Sequence, residues 1–378
     1  MKYYIIAGEA SGDLHAANLM KELKRLDSDA QFRCWGGDKM QQQGATLVKH
    51  YRELAFMGFT EVIMNLRTIL RNIEFCKKDI LSYQPDVVIL VDYPGFNLRI
   101  AEFAKTKGLK VFYYISPQVW AWKESRVQKI KHFVDRMFVI LPFEKDFYKK
   151  HDYEVDFVGH PLLDAIESEK DKHVDKNAWL KKNNLKEKPV IALLPGSRRQ
   201  EITVMLPLML SVSDEFKDHQ FVIAAAPSLP ESFYKELIGD RNVSVSLVFN
   251  QTYELLMHAD AVLVTSGTAT LETALFEVPE VVCYKGGKIS FFIARSLVNV
   301  KYISLVNLIM DKELVKELIQ GELTTKNISE ELKKIVYDGK RRSEMKANFK
   351  LLKEKLGGKG ASARTASLMF EALTKNNT

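Results

Sequence analysis

The stretch DVVILVDYPGFN, residues 86–97, decides the predicted fold class. Five consecutive apolar residues lie between Asp86 and Asp92. From Leu98 to Lys107, apolar residues then recur at the spacing of a helix. An uninterrupted apolar run predicts a strand that is covered on both faces, as in a parallel sheet flanked by helices. The stretch therefore predicts an α/β protein built from alternating strands and helices.

The same strand–turn–helix pattern recurs on both sides of this stretch. A polar, lysine-rich segment from Glu167 to Lys188 interrupts it and ends at Pro189, which is typical of a junction between domains. Two consecutive arrays predict two Rossmann-like, doubly wound domains that face a cleft, with charged helices after Ile328. The predicted strands are residues 3–7, 86–92, 110–115, 134–141 and 155–158, and then 190–194, 221–225, 244–248, 261–264 and 281–284.

The composition argues against several classes of protein. With 378 residues, 46% of them apolar, the chain can bury two cores. The net charge of +7 suits an anionic substrate or an anionic membrane surface, whereas no basic run with interleaved aromatic residues indicates nucleic-acid binding. Three widely spaced cysteines predict free thiols in a reducing cytoplasm. Arg295 and Lys301 interrupt the apolar segment 289–310, so no membrane span is predicted.

The first polar strand exit is GEASGD, residues 8–13. Ligands of parallel sheets bind beyond the carboxyl ends of the strands, where glycines allow a tight turn and a helix offers free N–H groups to an anion or a sugar hydroxyl. Glu9, Ser11, Gly12 and Asp13 are the candidates, and the alternative is an ordinary turn in which Asp13 caps a helix. The motif is not GxGxxG, which argues against a dehydrogenase.

Two more exits of the first array carry candidate residues. Asp92 directly follows the buried strand, and a carboxylate there can remove the proton of a sugar hydroxyl. The alternative is that Asp92 caps the following turn or helix. The segment SPQVWAW, residues 116–122, follows the next strand, and its two tryptophans either contact sugar rings or an acyl chain, or serve as packing anchors.

The second array has two polar strand exits. In LPGSR, residues 194–198, Gly196 permits a close backbone approach and Arg198 offers a planar set of donors that suits a phosphate, although such an arginine can also be simply solvated. In SGTATLE, residues 266–272, hydroxyls and a glycine at a helix start predict a diphosphate site, with Glu272 accepting hydrogen bonds from ribose. The alternative is a Ser/Thr helix cap.

No metal site is predicted. Asp27-Ser28-Asp29 is an Asp-x-Asp string, but it lies at the end of the first helix, away from the strand exits, and the histidines show no paired ligand spacing.

Apolar residues interspersed with arginines favour contact with a membrane surface in two segments. Arg67 and Arg71 lie in the first, and Arg198 and Arg199 precede the second. Helical spacing after Leu66 is equally typical of core packing, so both interpretations stay open. The candidate contact residues are Met57, Phe59, Val62, Ile63, Leu66, Ile69, Leu70, Met205 and Leu206.

Taken together, these segments resemble the lipid-A-disaccharide synthase family almost from end to end. One such motif is weak, but nine in the family's order are specific. They are GEASGD at Gly8, AFMGFTEV at Ala55, VDYPGFN at Val91, SPQVWAW at Ser116, LPFEKDFY at Leu141, VGHPLLD at Val158, LLPGSR at Leu193, SGTATLE at Ser266 and ELVKELIQ at Glu313.

The resemblance implies a glycosyltransferase-B fold with an acceptor domain at residues 1–168, a UDP-sugar domain at 169–345 and helices at 346–378 that return to the first domain. It implies an inverting transfer from UDP-2,3-diacylglucosamine to 2,3-diacylglucosamine 1-phosphate that needs no metal or other cofactor. The product is a β-1,6-linked disaccharide phosphate, made at the cytoplasmic face of the inner membrane by a peripheral protein. A homodimer is left open.

The resemblance also implies roles for individual residues. Asp92 is the candidate base, with Glu9 and Asp13 as further catalytic candidates. Ser11, Gly12, Asn97, Gln118 and Trp120 are candidates for acceptor binding. The donor candidates are Gly196, Ser197, Arg198, Ser266, Gly267, Thr268, Glu272, Asn307 and Gln320.

The chain departs from the family pattern at a few loop positions. Val306 stands where the family often has proline, Asp311 where glycine is usual, and Glu277 and Val278 where a glycine is frequent before Pro279. Two rival functions remain, a UDP-sugar epimerase of the same fold and a non-catalytic protein that binds a UDP-sugar or a membrane. UDP release that depends on an acceptor distinguishes a transferase from both.

Overall fold

The computed structural model describes residues 1–54, 66–122, 124–171, 174–239, 245–286 and 301–375. The chain divides into two compact units, Met1–Asp164 with Leu356–Thr378, and Ala165–Lys355. The sequence predicts boundaries after residues 168 and 345, whereas the structure divides the chain after 164 and 355. The second boundary moves because the helix Gly339–Lys355 runs through residue 345 without a break.

The first unit contains a parallel sheet of seven strands. These are β1 (Lys2–Ala7), β2 (Gln31–Gly36), β3 (Thr46–His50), β4 (Val87–Val91), β5 (Lys110–Tyr114), β6 (Arg136–Val139) and β7 (Asp156–Phe157). Their order is β3-β2-β1-β4-β5-β6-β7, so the sheet grows outward from the adjacent pair β1 and β4. This is a doubly wound sheet, and the loops after β1, β4 and β5 meet at one edge of it.

Helices connect these strands. They are α1 (Ala10–Leu26), α2 (Asp38–Gln42), α3 (Leu66–Tyr83), α4 (Pro94–Thr106), α5 (Val119–Trp122), α6 (Arg126–Phe133), α7 (Glu144–Lys149) and α8 (Leu162–Lys170), the last of which crosses the boundary between the units. All five residues of β4 are buried, as an apolar strand covered on both faces requires.

The second unit contains a parallel sheet of six strands. These are β8 (Val190–Leu194), β9 (Gln220–Ala225), β10 (Val245–Phe249), β11 (Ala261–Thr265), β12 (Glu280–Tyr284) and β13 (Lys316–Ile319), in the order β10-β9-β8-β11-β12-β13. The helices are α9 (Lys176–Lys182), α10 (Arg199–Leu210), α11 (Glu231–Ile238), α12 (Thr252–His258), α13 (Thr268–Leu275), α14 (Leu305–Met310), α15 (Thr325–Val336) and α16 (Gly339–Lys355). Both sheets therefore follow the doubly wound order, as the sequence predicts.

The last helix, α17 (Ala361–Thr374), belongs to the first unit and packs against α1. The Asp164 carboxylate accepts hydrogen bonds from the N–H groups of Gly360 at 2.6 Å and Ser362 at 3.0 Å, which caps the start of α17. The Arg364 guanidinium donates to the carbonyl of Val158 at 2.9 Å.

Within the described ranges, no helix combines the length and the apolar character that a bilayer-spanning segment requires.

Candidate functional site

A pocket of about 520 Å³ lies at the carboxyl edge of the second sheet. The turns after β8, β9 and β11 and the first residues of α12 and α13 surround it. It brings together all the predicted donor residues except Asn307 and Gln320. Its lining is Leu194, Gly196, Ser197, Arg198, Glu201, Ala224, Ala225, Ala226, Pro227, Thr252, Thr265, Ser266, Gly267, Thr268, Ala269 and Glu272.

The turn after β8 wraps around the carboxylate of Glu201, which accepts a hydrogen bond from the Ser197 N–H at 3.2 Å. Gly196 has a φ of +111°, and a Cβ there would lie 2.0 Å from the Glu201 Oε2 atom. Burial raises the pKa of Glu201, while the Ser197 N–H and the charge of Arg198 act in the opposite direction. The exposed Arg198 therefore lies near the partly buried carboxylate of Glu201, which stabilises the turn after β8.

The turn after β11 presents backbone N–H groups and hydroxyls to the pocket. Gly267 is the N-cap of α13 with a φ of +153°, and in the part of the chain that the structure describes no side chain caps this helix. The Ser266 hydroxyl donates to the carbonyl of Ile303 at 3.0 Å. The Thr265 hydroxyl is buried and has no hydrogen-bond partner among the residues that the structure describes. Such a helix start suits an anionic ligand.

Glu272 closes one side of the pocket on the first turns of α13. Its Oε1 atom accepts a hydrogen bond from the hydroxyl of Tyr253 at 2.9 Å. Burial raises the pKa of Glu272, and the Tyr253 hydroxyl partly offsets this by stabilising the carboxylate. One oxygen is thus held by the protein, and the side chain lines the pocket.

Asn307 and Gln320 lie outside the lining of this pocket. The Asn307 side chain is fully buried, donates to the Val315 carbonyl and to Glu317, and accepts from the N–H groups of Leu314 and Val315. Both polar atoms of the amide are thus hydrogen-bonded within the protein, and the role of Asn307 at the donor site stays a prediction. The Gln320 amide pairs with the backbone of Gly286.

In the first unit, Asp92 and Tyr93 form a left-handed turn directly after β4, with φ values of 45° and 51°. The Asp92 N–H donates to the Tyr114 carbonyl at 3.1 Å, and the Asp92 carbonyl accepts from Asn97 at 2.7 Å and from the Tyr113 hydroxyl at 2.6 Å. Asn97 is fully buried, its amide group donates to the backbone of this turn, and its Oδ1 atom has no hydrogen-bond partner among the described residues, so its role in acceptor binding stays a prediction. These contacts fix the backbone of Asp92, from which its carboxylate extends.

The Asp92 side chain itself is half-buried at the edge of the sheet. Burial, and then the nearby Glu9 carboxylate, raise its pKa from 3.8 to about 6. Glu9 is the exposed N-cap residue of α1, and Ser11 is exposed in the first turn of the same helix. Gly8 lies under the ring of Tyr93, where a Cβ would come within 2.3 Å. Glu9, Ser11 and Asp92 therefore share one edge, and the pKa of Asp92 suits a general base near neutral pH.

Asp13 makes hydrogen bonds that stabilise the fold. Its carboxylate is buried and accepts hydrogen bonds from the N–H groups of Gly37 at 2.8 Å, Lys39 at 3.1 Å and Met40 at 3.1 Å. It therefore caps α2 and joins the exits of β1 and β2, so its prediction as a catalytic residue is corrected to a structural one. Gly12 is buried against the Ala7 side chain, which a Cβ would approach to 3.2 Å, and so serves packing.

The loop after β5 carries Gln118 and Trp120. Gln118 is exposed, whereas Trp120 is half-buried and packs edge-on against Phe143 with ring centroids 4.9 Å apart. Ser116 is buried, and its hydroxyl lies 2.7 Å from that of Tyr148. Trp120 is thus a packing anchor for its loop, while Gln118 is open to a ligand.

The predicted membrane-contact residues differ in their burial. Met57, Phe59, Val62 and Ile63 lie outside the described residues, as does the side chain of Leu66. On α3, Ile69 is half-buried and Leu70 is 47% exposed. Met205 and Leu206 are buried in the core of the second unit, so their predicted membrane contact is wrong in this structure. These apolar residues belong to the buried face of α10.

Left-handed backbone at non-glycine residues falls into two groups in the described part of the chain. Five such residues follow helices, where this conformation ends a helix: Gln84, Asp152, Asn184, Glu277 and Asp311. The other five follow strands at the carboxyl edges of the sheets: Asp92, Tyr93, Ile115, Asn250 and Gln320. Ile115 is β-branched and has a φ of 63°, a strained combination. Strain of this kind gathers where a protein positions functional groups.

The sequence reasoning missed some of the pocket residues. Ala224 and Ala225 end β9, Ala226 and Pro227 follow it, and Thr252 follows β10, so the strand-exit argument that found Gly196 also applies to these residues. Glu201 faces the pocket because α10 turns it back on its own loop, which spacing alone does not show. Among the described residues, no group of three or more His, Cys, Asp or Glu side chains is placed to hold a metal ion.

Solved structures share this fold. The UDP-GlcNAc 2-epimerase from Neisseria meningitidis, bound to UDP-GlcNAc, matches with a TM-score of 0.65 at 14% identity, covering 100% of both chains. The glycosyltransferase of kitacinnamycin matches with a TM-score of 0.64 at 14% identity, covering 98% of both chains. Both likenesses concern the fold alone. Two Rossmann-like units, with the pocket in the second, define the architecture of the glycosyltransferase-B fold.

Sequence comparison narrows the class to one family. The family model of lipid-A-disaccharide synthetase matches residues 3–370. A lipid-A-disaccharide synthase from Syntrophus aciditrophicus is 40% identical over 99% of this chain and 98% of its own, and one from Geobacter sulfurreducens is 36% identical over 98% and 97%. The chain belongs to the lipid-A-disaccharide synthetase family. This confirms the resemblance found in the motifs and favours a transferase over the epimerase and scaffold alternatives.

Proposed function

We propose that this glycosyltransferase transfers 2,3-diacylglucosamine from UDP to 2,3-diacylglucosamine 1-phosphate with inversion at the anomeric carbon. The products are the β-1,6-linked lipid A disaccharide 1-phosphate and UDP. The observation that carries this proposal is the match to the family over nearly the whole chain, together with the pocket formed by its SGTATLE and LPGSR motifs.

We infer that the pocket of the second unit binds the UDP part of the donor. The start of α13 at Gly267 and Thr268 and the guanidinium of Arg198 are suited to the diphosphate. The Glu272 carboxylate is suited to accept hydrogen bonds from the ribose hydroxyls, since Tyr253 occupies its Oε1 atom only in part. The buried Thr265 hydroxyl supplies a further polar group that a ligand would satisfy.

The acceptor chemistry is assigned to Asp92. Its carboxylate takes the proton from the acceptor 6-hydroxyl while the oxygen forms a bond to the anomeric carbon of the donor. The bond from that carbon to the UDP oxygen breaks at the same time, and the electron pair leaves with UDP. A base with a pKa near 6 is mostly ionised at neutral pH and still accepts a proton in the transition state. The growing negative charge on UDP is stabilised by Arg198 and the helix start.

We propose that the reaction requires no metal ion. The support is that a guanidinium and a helix N-terminus both line the pocket, and these two groups can neutralise a leaving diphosphate. Turnover in the presence of EDTA tests this part directly.

We also propose that the first unit rests on the anionic cytoplasmic face of the inner membrane, where the acylated substrates reside. On α3, Leu70 and Phe75 are 47% and 48% exposed, and Arg67 and Arg71 are exposed beside them. Apolar side chains flanked by arginines are suited to the headgroup layer. Sedimentation with vesicles that contain an anionic lipid, compared with neutral vesicles, tests this placement.

The experiment for the proposed function measures UDP release from UDP-2,3-diacylglucosamine in EDTA, with and without 2,3-diacylglucosamine 1-phosphate. Release only with the acceptor supports the transfer and its independence from metal. Release without the acceptor contradicts it in favour of hydrolysis or epimerisation, and release restored only by added Mg²⁺ contradicts the metal-free part alone.

A further inference from the structure

Glu317 is a buried carboxylate for which the proposed mechanism has no role. It lies in β13 and is 7% exposed. Its Oε2 atom accepts a hydrogen bond from the N–H of Ile303 at 3.0 Å. Its Oε1 atom accepts from the N–H of Ser304 at 3.0 Å, from the Ser304 hydroxyl at 2.7 Å and from the Asn307 amide at 2.9 Å. A buried charge is costly unless it is hydrogen-bonded, so these contacts fix the chain at the start of α14 against β13.

The segment that Glu317 holds also contacts the turn after β11. The N–H of Ile303 donates to Glu317, and the carbonyl of Ile303 accepts a hydrogen bond from the Ser266 hydroxyl at 3.0 Å. Ser266 lines the pocket of the second unit and directly precedes Gly267, the N-cap of α13. The helix that follows the segment, α14, packs against α13. Two hydrogen bonds, joined by a single residue, therefore connect the Glu317 carboxylate to the edge of the pocket.

The contact with Ile303 determines what Ser266 can do in the pocket. A serine hydroxyl has one proton to donate, and here the Ile303 carbonyl accepts it. The hydroxyl is therefore not a donor to a phosphate in this arrangement, and its bond instead fixes the place of the turn. That turn presents the free N–H groups at the start of α13, and a ligand contact of this kind is weakened by a displacement of about 1 Å.

We propose that Glu317 positions the turn after β11 for the diphosphate of the donor, because it holds Ile303 and the Ile303 carbonyl holds Ser266. This inference rests on the proposed function, which assigns the pocket to UDP. Glu317 does not line the pocket, so it is a positioning residue. It governs the affinity for the donor and leaves the acceptor edge, which lies in the other unit, unchanged.

The test is calorimetric titration of E317Q with UDP, together with steady-state kinetics in which each substrate is varied in turn. Glutamine keeps one acceptor oxygen, and the three donors around Oε1 favour that position for it. Its NH2 group then faces the N–H of Ile303, so the link to the pocket turn is lost. The UDP dissociation constant and the donor KM are expected to rise about tenfold, and the acceptor KM is expected to stay within about twofold.

E313Q is the matched control for the loss of charge. Glu313 is exposed, lies just before β13 and forms an ion pair with Lys316. E313Q should therefore leave the UDP dissociation constant and both KM values unchanged.

S304A separates positioning from stability. It removes the hydroxyl that bonds to Glu317 and caps α14, but it leaves the bond between Glu317 and Ile303. E317Q and S304A should both lower the thermal unfolding midpoint, whereas only E317Q should weaken UDP binding. In an S266A background, E317Q should change the UDP dissociation constant by less than about twofold, because both substitutions break the same connection.

Equal affinity of wild type and E317Q for UDP overturns the proposal. An effect of E317Q that is undiminished in S266A, or a loss of UDP affinity in S304A as large as in E317Q, overturns it as well. Where E317Q does not fold, hydrogen exchange of the wild-type amides at residues 303–304 decides the question: slower exchange with UDP bound is expected, and unchanged exchange overturns the proposal. A wild type that does not bind UDP overturns the proposed donor pocket and this inference with it.

Discussion

The carboxyl edges of the two sheets have the same strand order behind them but are built in opposite ways. At the first edge, Asp92, Tyr93 and Ile115 are bulky residues in left-handed backbone, held by hydrogen bonds from neighbouring strands. At the second edge, Asn250 and Gln320 are also left-handed, but the two residues with unusual backbone that line the pocket are glycines, Gly196 and Gly267. The first edge positions side chains, and the second exposes backbone.

This difference follows from what each edge is proposed to hold. A general base needs one carboxylate at a fixed point, so the first edge tolerates strain of about 1 to 3 kcal/mol per residue to keep it there. A diphosphate needs several N–H groups around it, which glycine turns and a helix start supply without side chains in the way. The following predictions test that contrast.

Asp92→Asn should have the largest effect. Asparagine tolerates left-handed backbone, so the turn is expected to persist while the base is lost. We expect kcat to fall about 10² to 10⁴-fold, with UDP affinity unchanged. The control is Asp86→Asn at the other end of β4, where the carboxylate accepts the N–H of Lys2. Activity close to wild type in Asp92→Asn would remove the base assignment.

Gly196→Ala should weaken the second edge alone. The new Cβ would lie 2.0 Å from the Glu201 carboxylate at a φ of +111°, so the turn that carries Arg198 has to move. We expect the donor KM or the UDP dissociation constant to rise at least about tenfold, since a displaced phosphate ligand is lost. Gly339→Ala in the same unit is the control, because a Cβ there meets nothing within 4 Å. Calorimetric titration with UDP measures both, and equal affinities would contradict the role of this turn.

Glu9→Gln should shift the pH dependence of the first edge. Burial and Glu9 raise the pKa of Asp92 to about 6, so kcat/KM of the wild type should fall as the pH drops through about 6 and the base is protonated. Without the Glu9 charge the pKa of Asp92 is lower, and this acidic limb should move to lower pH. An acidic limb that stays in place in Glu9→Gln would show that the two carboxylates do not interact.

Glu280→Met should change stability rather than activity, since Glu280 lies at the start of β12, opposite the pocket edge. Glu280 is fully buried, and its oxygens have no hydrogen-bond partner among the described residues. Replacing a buried, unpaired acid by an apolar side chain is expected to stabilise the protein by about 1 to 3 kcal/mol. Glu317→Gln should instead destabilise it, because Glu317 accepts hydrogen bonds from Ser304 and Asn307.

The pH dependence of unfolding separates this effect from a packing effect. Burial, and then Glu317, raise the pKa of Glu280 well above 4.5, so the folded state keeps a proton that the unfolded state loses. The stability that this proton gives is present below pH 4.5 and is lost as the pH rises. The advantage of Glu280→Met, measured by denaturant unfolding, should therefore be larger at pH 8 than at pH 5. An advantage that is the same at both values would contradict a raised pKa.

The sequence determined the alternation of strands and helices, because a covered parallel strand must be apolar along its length, as Val87–Val91 is. It also determined which strand exits matter, since polar residues after a buried strand have to emerge at the sheet edge. It did not reveal β2, β3 or β13, which mix polar with apolar residues. At the sheet edges and in short strands, burial depends on neighbours from elsewhere in the chain.

The roles of single polar side chains were decided only by the tertiary structure. The Asp13 carboxylate caps α2 by accepting hydrogen bonds from N–H groups beyond residue 36. The Asn307 amide makes its hydrogen bonds to residues near β13. Local spacing reveals neither set of partners. The sequence does not show whether Met205 and Leu206 face a lipid or a protein core. In the structure, α10 packs with both side chains buried. Local sequence determines whether a residue is polar and where its strand ends. The hydrogen bonds that it makes depend on residues that are distant in the sequence and meet only in the folded unit.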